Sequence, residues 1–369
     1  MPTFDPDSDH FPNLADLEQI PGAPKHAAWF WGENDELGRL NLLTARRVAD
    51  AARLIRTGER VALNFPLDYP DPPFFGRETF KHRLKQLNES SYDDLYDFNS
   101  QSGSQWDGYR HSIRTKLDRS ASRIMDLGFG ITIPLASKLS IHRESDSKHG
   151  ENRASVRMTA HGLFLVRQID GSIMKLTPGA FLFLAGRAVL LDIYSFTKES
   201  YDPLSARRIT LAELRACAEA EGVEFKYGDI LLVRTGWSAG YNQLDAAGRQ
   251  AYRTKGFHEL AFAGVGCGEE VVEFLHDNYF SAVASDSPTF ESWPPSLEPG
   301  QEILHSFLLP LWGVPIGEMW DLDGLAELCK KTRRWEFFLT SCPANVKGEK
   351  IPVPVFLSPE LSLLILYQI

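Results

Sequence analysis

The chain has 369 residues, 43% of them hydrophobic and 24% charged, which is the balance of a globular protein long enough for one large or two ordinary domains. Its net charge of −10 argues against a nucleic-acid partner, which would call for a basic face. Cys217, Cys267, Cys329 and Cys342 lack the short paired spacing of a CxxC-type zinc site. Reduced thiols, an acidic start without an apolar leader, and no apolar run of the ~18–20 residues that a membrane span needs together point to the cytoplasm and away from a membrane.

Residues 1–28 are rich in Pro and Asp and read as an irregular lead-in. Trp29-Phe-Trp31 then opens a polar, glycine-bearing loop that runs to Gly38. Thr44 is placed to cap a helix with Val48, Ala51, Ala52 and Ile55 at helical spacing, closed near Gly58. Residues 60–65 read as a strand ended by the proline-rich run 66–74, and 76–100 as a polar excursion. Further on, strand patterns at 188–193, 229–234, 280–284 and 336–340 alternate with helix patterns. The helices are one capped by Thr210 and ended by Gly222, one over 269–276, and one opened by Asp321 or Asp323. This alternation predicts an α/β fold with a substantially buried sheet. The tail 350–369 fits either a strand at the sheet edge or a segment that does not pack.

Chemistry concentrates in Gln101-Ser-Gly-Ser-Gln-Trp-Asp-Gly-Tyr-Arg-His111, where polar residues alternate with Gly103 and Gly108. Glycines allow close backbone approach to a ligand, although Gly, Ser and Asp also make ordinary turns. Trp106 and Tyr109 favour burial. In extended backbone Gln105 and Asp107 project to one side. One amide and one carboxylate hold a metal weakly, so further ligands must come from elsewhere. His305 and Glu318 each stand alone in apolar runs, where an unpaired polar group is costly. Each has a bland reading, a hydrogen-bonded core histidine and a helix cap or arginine partner. With Asp107 they make an O/N donor set suited to Zn²⁺ or Mn²⁺. A serine hydrolase is the remote third option.

The sequence resembles the cyclase-like metal-dependent hydrolases that include bacterial kynurenine formamidase and isatin hydrolase. Their marker, His-x-Gly-Thr-His-x-Asp-x-Pro-x-His, reads here Gln101-x-Gly103-Ser104-Gln105-x-Asp107-x-Tyr109-x-His111. Similar pieces are Trp31-Gly-Glu-Asn-Asp-Glu-Leu-Gly-Arg-Leu-Asn41, Gly186-Arg-Ala-Val-Leu-Leu-Asp192, Gly228-Asp-Ile-Leu-Leu-Val-Arg-Thr-Gly-Trp237, Ser285-Asp-Ser-Pro288 and the pair His305 and Glu318. The likeness is to a larger, fungal-type subgroup and spans roughly 29–348 as one domain, with 117–150 and 163–185 as possible insertions and 349–369 as an atypical tail.

The resemblance implies a swivelling β/β/α, single-domain fold with a mixed central sheet, a homodimer or homotetramer, and a divalent ion that activates water to cleave an amide, lactam or cyclic ester of a small substrate. Asp107, His305 and Glu318 fall on metal-ligand positions, joined by Gln105, and His111 falls on the catalytic histidine, with His161 as a second candidate. Gln101, Trp31, Trp106 and Arg110 are candidate substrate contacts. Both loop histidines of the marker are glutamines here. That substitution points to Mn²⁺ rather than Zn²⁺, to one ion on Asp107, His305 and Glu318, or to a metal-free binding protein on the same fold.

Overall fold

The apolar runs at 188–191, 230–233 and 282–285 are buried along their whole length, so helices must cover both faces of the strands they form. The structure, a computed structural model, describes residues 4–20, 23–32, 35, 37–108, 184–256, 258–341 and the backbone of 365–368. The strands are β1 (Glu59–Ala62), β2 (Lys81–Asn88), β3 (Ser91–Asp97), β4 (Gln105–Asp107), β5 (Leu184–Leu191), β6 (Arg208–Ile209), β7 (Ile230–Val233), β8 (Gly264–Val265), β9 (Ala282–Ser285), β10 (Ile316–Glu318), β11 (Glu336–Ser341) and β12 (Ile365–Gln368). Eight of them form one sheet in the order β1-β12-β11-β5-β7-β9-β10-β4. β5, β7, β9 and β10 run parallel at its centre. β11, β12 and β1 continue antiparallel on one side, and β4 is antiparallel on the other. The mixed central sheet of the expected α/β fold is therefore present. The tail strand β12 lies between β11 and β1, inside the sheet rather than at its edge.

Successive residues of the central strands serve two different cores, as the period-two pleat requires. Val189, Leu191, Leu231, Val233 and Val283 pack with Leu214 and Cys217 of helix Leu211–Glu221 and Val271 and Leu275 of helix Glu269–Asp277. Ala188, Leu190, Ile230, Leu232 and Ala284 pack with Leu325, Ala326 and Cys329 of helix Asp323–Thr332. Cys217, Cys267 and Cys329 are buried within these layers. No helix among the described residues is long and apolar enough to cross a membrane.

Helix starts follow the cap chemistry. The Thr44 side chain accepts the Arg47 amide at the head of helix Ala45–Ala52, which ends short of Ile55 in a turn. Thr210 and Glu213 form a reciprocal capping box, and Gly222 closes the same helix at φ 68°. The excursion 76–100 contains the antiparallel hairpin β2–β3. Every residue of β2 is exposed, so there is no apolar alternation to read; cross-strand pairs such as Lys81–Asp97 (2.9 Å) and His82–Asp94 (2.6 Å) line it instead.

Several family-like pieces are packing devices. Arg187 on β5 bridges Asp229 (2.5 Å) and Glu336 (2.7 Å), tying three strands at one end. Gly236 has φ 84°, and a Cβ there would lie 2.3 Å from the Tyr194 ring, so only glycine fits the turn after β7. Asp286, fully buried after β9, accepts the amides of Thr235 (2.6 Å) and Gly236 (2.9 Å) and clamps that turn.

Glu221 ends its helix beside Cys217 and the Asp192 amide, with one carboxylate oxygen buried and unpartnered. Burial pushes its pKa from the ordinary 4.5 up to about 8, against the hydrogen bonds from Cys217 and Asp192. The folded chain thus holds this proton more tightly than the unfolded one. The associated stabilisation is complete below about pH 4.5 and is lost as pH rises through about 8. The thermal midpoint of Glu221→Gln is expected to fall less steeply than that of the parent over this window. Parallel melting curves against pH for the two proteins would refute the assignment.

Candidate metal centre

The pairing of β4 with β10 brings the polar loop to the C-terminal end of the parallel strands, where open α/β sheets place their ligands. Gln105 lies opposite Glu318 and Asp107 opposite Ile316. Cross-strand partners share a face, so Gln105, Asp107 and Glu318 project together. Gly317 stands between them because its Cβ would come 2.6 Å from both Ala284 and the Trp320 ring. His305 arrives from a third stretch, the short helix Leu304–Phe307.

Asp107, His305 and Glu318 each offer a ligand atom, all within 4.8 Å of one another, and all three residues are buried. His305 Nε2 sits 3.3 Å from Asp107 Oδ2 and 3.2 Å from Glu318 Oε1. Its Nδ1 is 2.7 Å from Glu291 Oε2. The two amides complete the group. Gln101 Nε2 donates to Asp107 Oδ1 (2.9 Å), and Gln105 Nε2 reaches Gln101 Oε1 (2.7 Å) and Glu318 Oε2 (3.1 Å). Gln105 Oε1 is buried with no hydrogen-bond partner. The Phe290 amide donates to Glu318 Oε1 at 3.1 Å.

Three buried carboxylates around one imidazole make a strongly negative pocket. Burial works against charging His305, yet the carboxylates of Glu291, Asp107 and Glu318 hold its pKa well above the ordinary 6.5. Burial, and then the Asp107 charge, push Glu318 up to about 7, with His305 opposing. Arg77 is the nearby cation. Its guanidinium donates to the Gln101 carbonyl, lies 4.9 Å from the Phe75 ring and feels the Asp107 and Glu318 charges.

Of the residues singled out from sequence, Asp107, His305, Glu318, Gln105 and Gln101 meet at one point. Trp106 does not line it. The pleat turns Trp106 to the opposite face, where it meets Trp320 edge-on (4.7 Å) and its indole N–H donates to Ser341 (3.0 Å). Trp31 packs against Phe11 and Phe30, beneath the N-terminal lead-in, rather than in this group. His111, His161 and Arg110 lie outside the described residues. Sequence reasoning missed Glu291 and Arg77. For Glu291 the available signal was a lone acid shortly after Ser285-Asp-Ser-Pro288; Arg77 carried none, because it sits in a polar stretch without periodicity.

The Cyclase family model matches residues 61–292. A solved structure described as a novel cyclase superposes with a TM-score of 0.64 at 24% identity, covering 92% of this chain and 98% of its own. Isatin hydrolase A from Ralstonia solanacearum superposes with a TM-score of 0.50 at 18% identity, covering 89% of this chain and 97% of its own. At these identities the likeness is one of fold. The sequence matches none of the curated proteins. The family match spans well over half of the 369 residues and takes in the β4 loop as well as β5, β7 and β9, so this chain belongs to the Cyclase family.

Proposed function

We propose that this protein is a metal-dependent hydrolase that cleaves a C–N or ester bond, other than a peptide bond, in a small amide, lactam or cyclic ester. The observation that carries the reading is the convergence of Asp107, His305 and Glu318, from three separate stretches, on one buried point. Buried carboxylates in excess of cations are costly unless a cation joins them. The residues fit such an ion: two carboxylates and an imidazole are in place, and the orphaned Gln105 Oε1 supplies a further oxygen donor close by. An oxygen-rich set with an amide in place of a second imidazole suits Mn²⁺ better than Zn²⁺. When bound, the ion supplies Lewis acidity, lowering the pKa of water and polarising a substrate carbonyl.

The chain's own groups do the rest. Gln101 orients the Asp107 carboxylate through its 2.9 Å hydrogen bond. Arg77 sets a positive charge at the group's edge, where a substrate anion or a developing oxyanion gains from it. His111 is assigned the proton transfer from water to the leaving nitrogen, with His161 as its alternate and Arg110 as a partner for a substrate carboxylate. The solved isatin hydrolase supports a lactam as the first substrate to test.

One observation favours a second reading, a metal-free binding protein. The Gln101 and Gln105 amides already donate to both ligand carboxylates, closing the network without an ion. Elemental analysis of the purified protein before and after incubation with Mn²⁺ and Zn²⁺, followed by ring-opening assays on isatin and on an N-formyl arylamine, separates the two. About one bound equivalent with turnover is expected. Failure to take up either metal would rule out the hydrolase.

A further inference from the structure

We infer that Glu291 is a positioning residue that fixes the His305 imidazole so that its Nε2 faces Asp107 and Glu318, an inference that rests on the metal-hydrolase reading. A carboxylate oxygen at 2.7 Å from His305 Nδ1 holds the ring in one orientation, and with Glu291 as the acceptor the hydrogen sits on Nδ1. Once the imidazole carries a single proton, Nε2 is left as the bare nitrogen, and Nε2 is the atom that points at the two ligand carboxylates. Glu291 thereby selects both the tautomer and the ring orientation, as a carboxylate behind a ligating histidine does generally.

The segment that carries Glu291 is built to hold it still. Glu291 is 1% exposed and bridges to Val265 of β8. The Val265 amide donates to the Phe290 carbonyl and the Ser292 amide to the Val265 carbonyl, each at 3.0 Å. Thr289 Oγ1 donates to the Glu291 carbonyl at 2.8 Å. A Cβ on Gly264 would lie 2.4 Å from the Glu291 carbonyl carbon, so glycine in β8 is what lets the two backbones approach this closely. An acid buried next to two other acids is a poor choice for stability alone. Its cost is explained if the carboxylate acts through His305.

The test uses the full chain and Co²⁺ as the probe, titrated by its visible absorption, beside thermal unfolding of the metal-free protein. Glu291→Gln keeps the shape and a weaker acceptor, whereas Glu291→Ala removes the acceptor. Co²⁺ affinity is expected to fall about 10-fold in Glu291→Gln and about 100-fold in Glu291→Ala, with altered absorption bands and an undiminished midpoint for the metal-free Gln variant. A purely structural role would lower that midpoint and leave the affinity of the folded protein alone. Affinities of both variants within about threefold of the parent would overturn the inference while leaving the hydrolase reading intact. A parent protein that binds no Co²⁺ would overturn both.

Discussion

Asp107→Ala is expected to abolish metal uptake and hydrolysis together, while the chain stays folded. Asp107 is the one carboxylate that touches His305 Nε2 and also accepts the Gln101 amide, so it joins the histidine to the loop. A bound ion contributes several kcal/mol of charge stabilisation in the transition state, and each ~1.4 kcal/mol is a factor of ten, so the rate on any substrate should drop by about 10³ or more. Stability of the metal-free protein is expected to hold, because the change removes one of three crowded, buried negative charges. The measurements are metal content, turnover and the metal-free melting midpoint, made side by side. Retention of a full equivalent of metal in Asp107→Ala would show that the ion binds elsewhere.

The second large effect concerns the fold. Asp286→Ala is expected to cost about 3–5 kcal/mol, because it strands two buried backbone N–H groups and a hydroxyl. Those donors are the Thr235 amide, the Gly236 amide and Thr235 Oγ1, at 2.6, 2.9 and 2.9 Å from the carboxylate. They hold a left-handed turn that glycine alone can enter and that aligns the ends of β7 and β9. Urea unfolding followed by circular dichroism reads this directly. A loss below about 1 kcal/mol would mean that the turn is held by its glycine and its packing instead.

What the sequence disclosed, and what it hid, divides along physical lines. The caps at Thr44 and Thr210, the stop at Gly222 and the buried runs of β5, β7 and β9 were legible because local chemistry and periodicity decide them. The hairpin β2–β3 was not, since charge pairing across two exposed strands leaves no apolar rhythm. Asp107, His305 and Glu318 stood out because each breaks an apolar or glycine-bearing context, and the structure brings the three together. Glu291 escaped because its role depends on a contact across 14 positions with a ring nitrogen, which no spacing rule encodes. Trp106 was misassigned for a simpler reason: it alternates with Gln105 and Asp107 on one strand and therefore must face away from them.

The position of β4 in the sheet carries a further consequence. Among the described residues it is the outermost strand next to β10, and it is three residues long. Gln105 and Asp107 thus ride on the rim, whereas Glu318 belongs to the body of the sheet. Evolution can edit the rim without disturbing the strands that keep the protein folded. A change of donor at Gln105 would alter the chemistry at this margin and leave the pairing of β5, β7 and β9 as it is. The group therefore straddles the margin and the interior of one sheet, with Gln105 and Asp107 on the outer strand and Glu318 on the strand within.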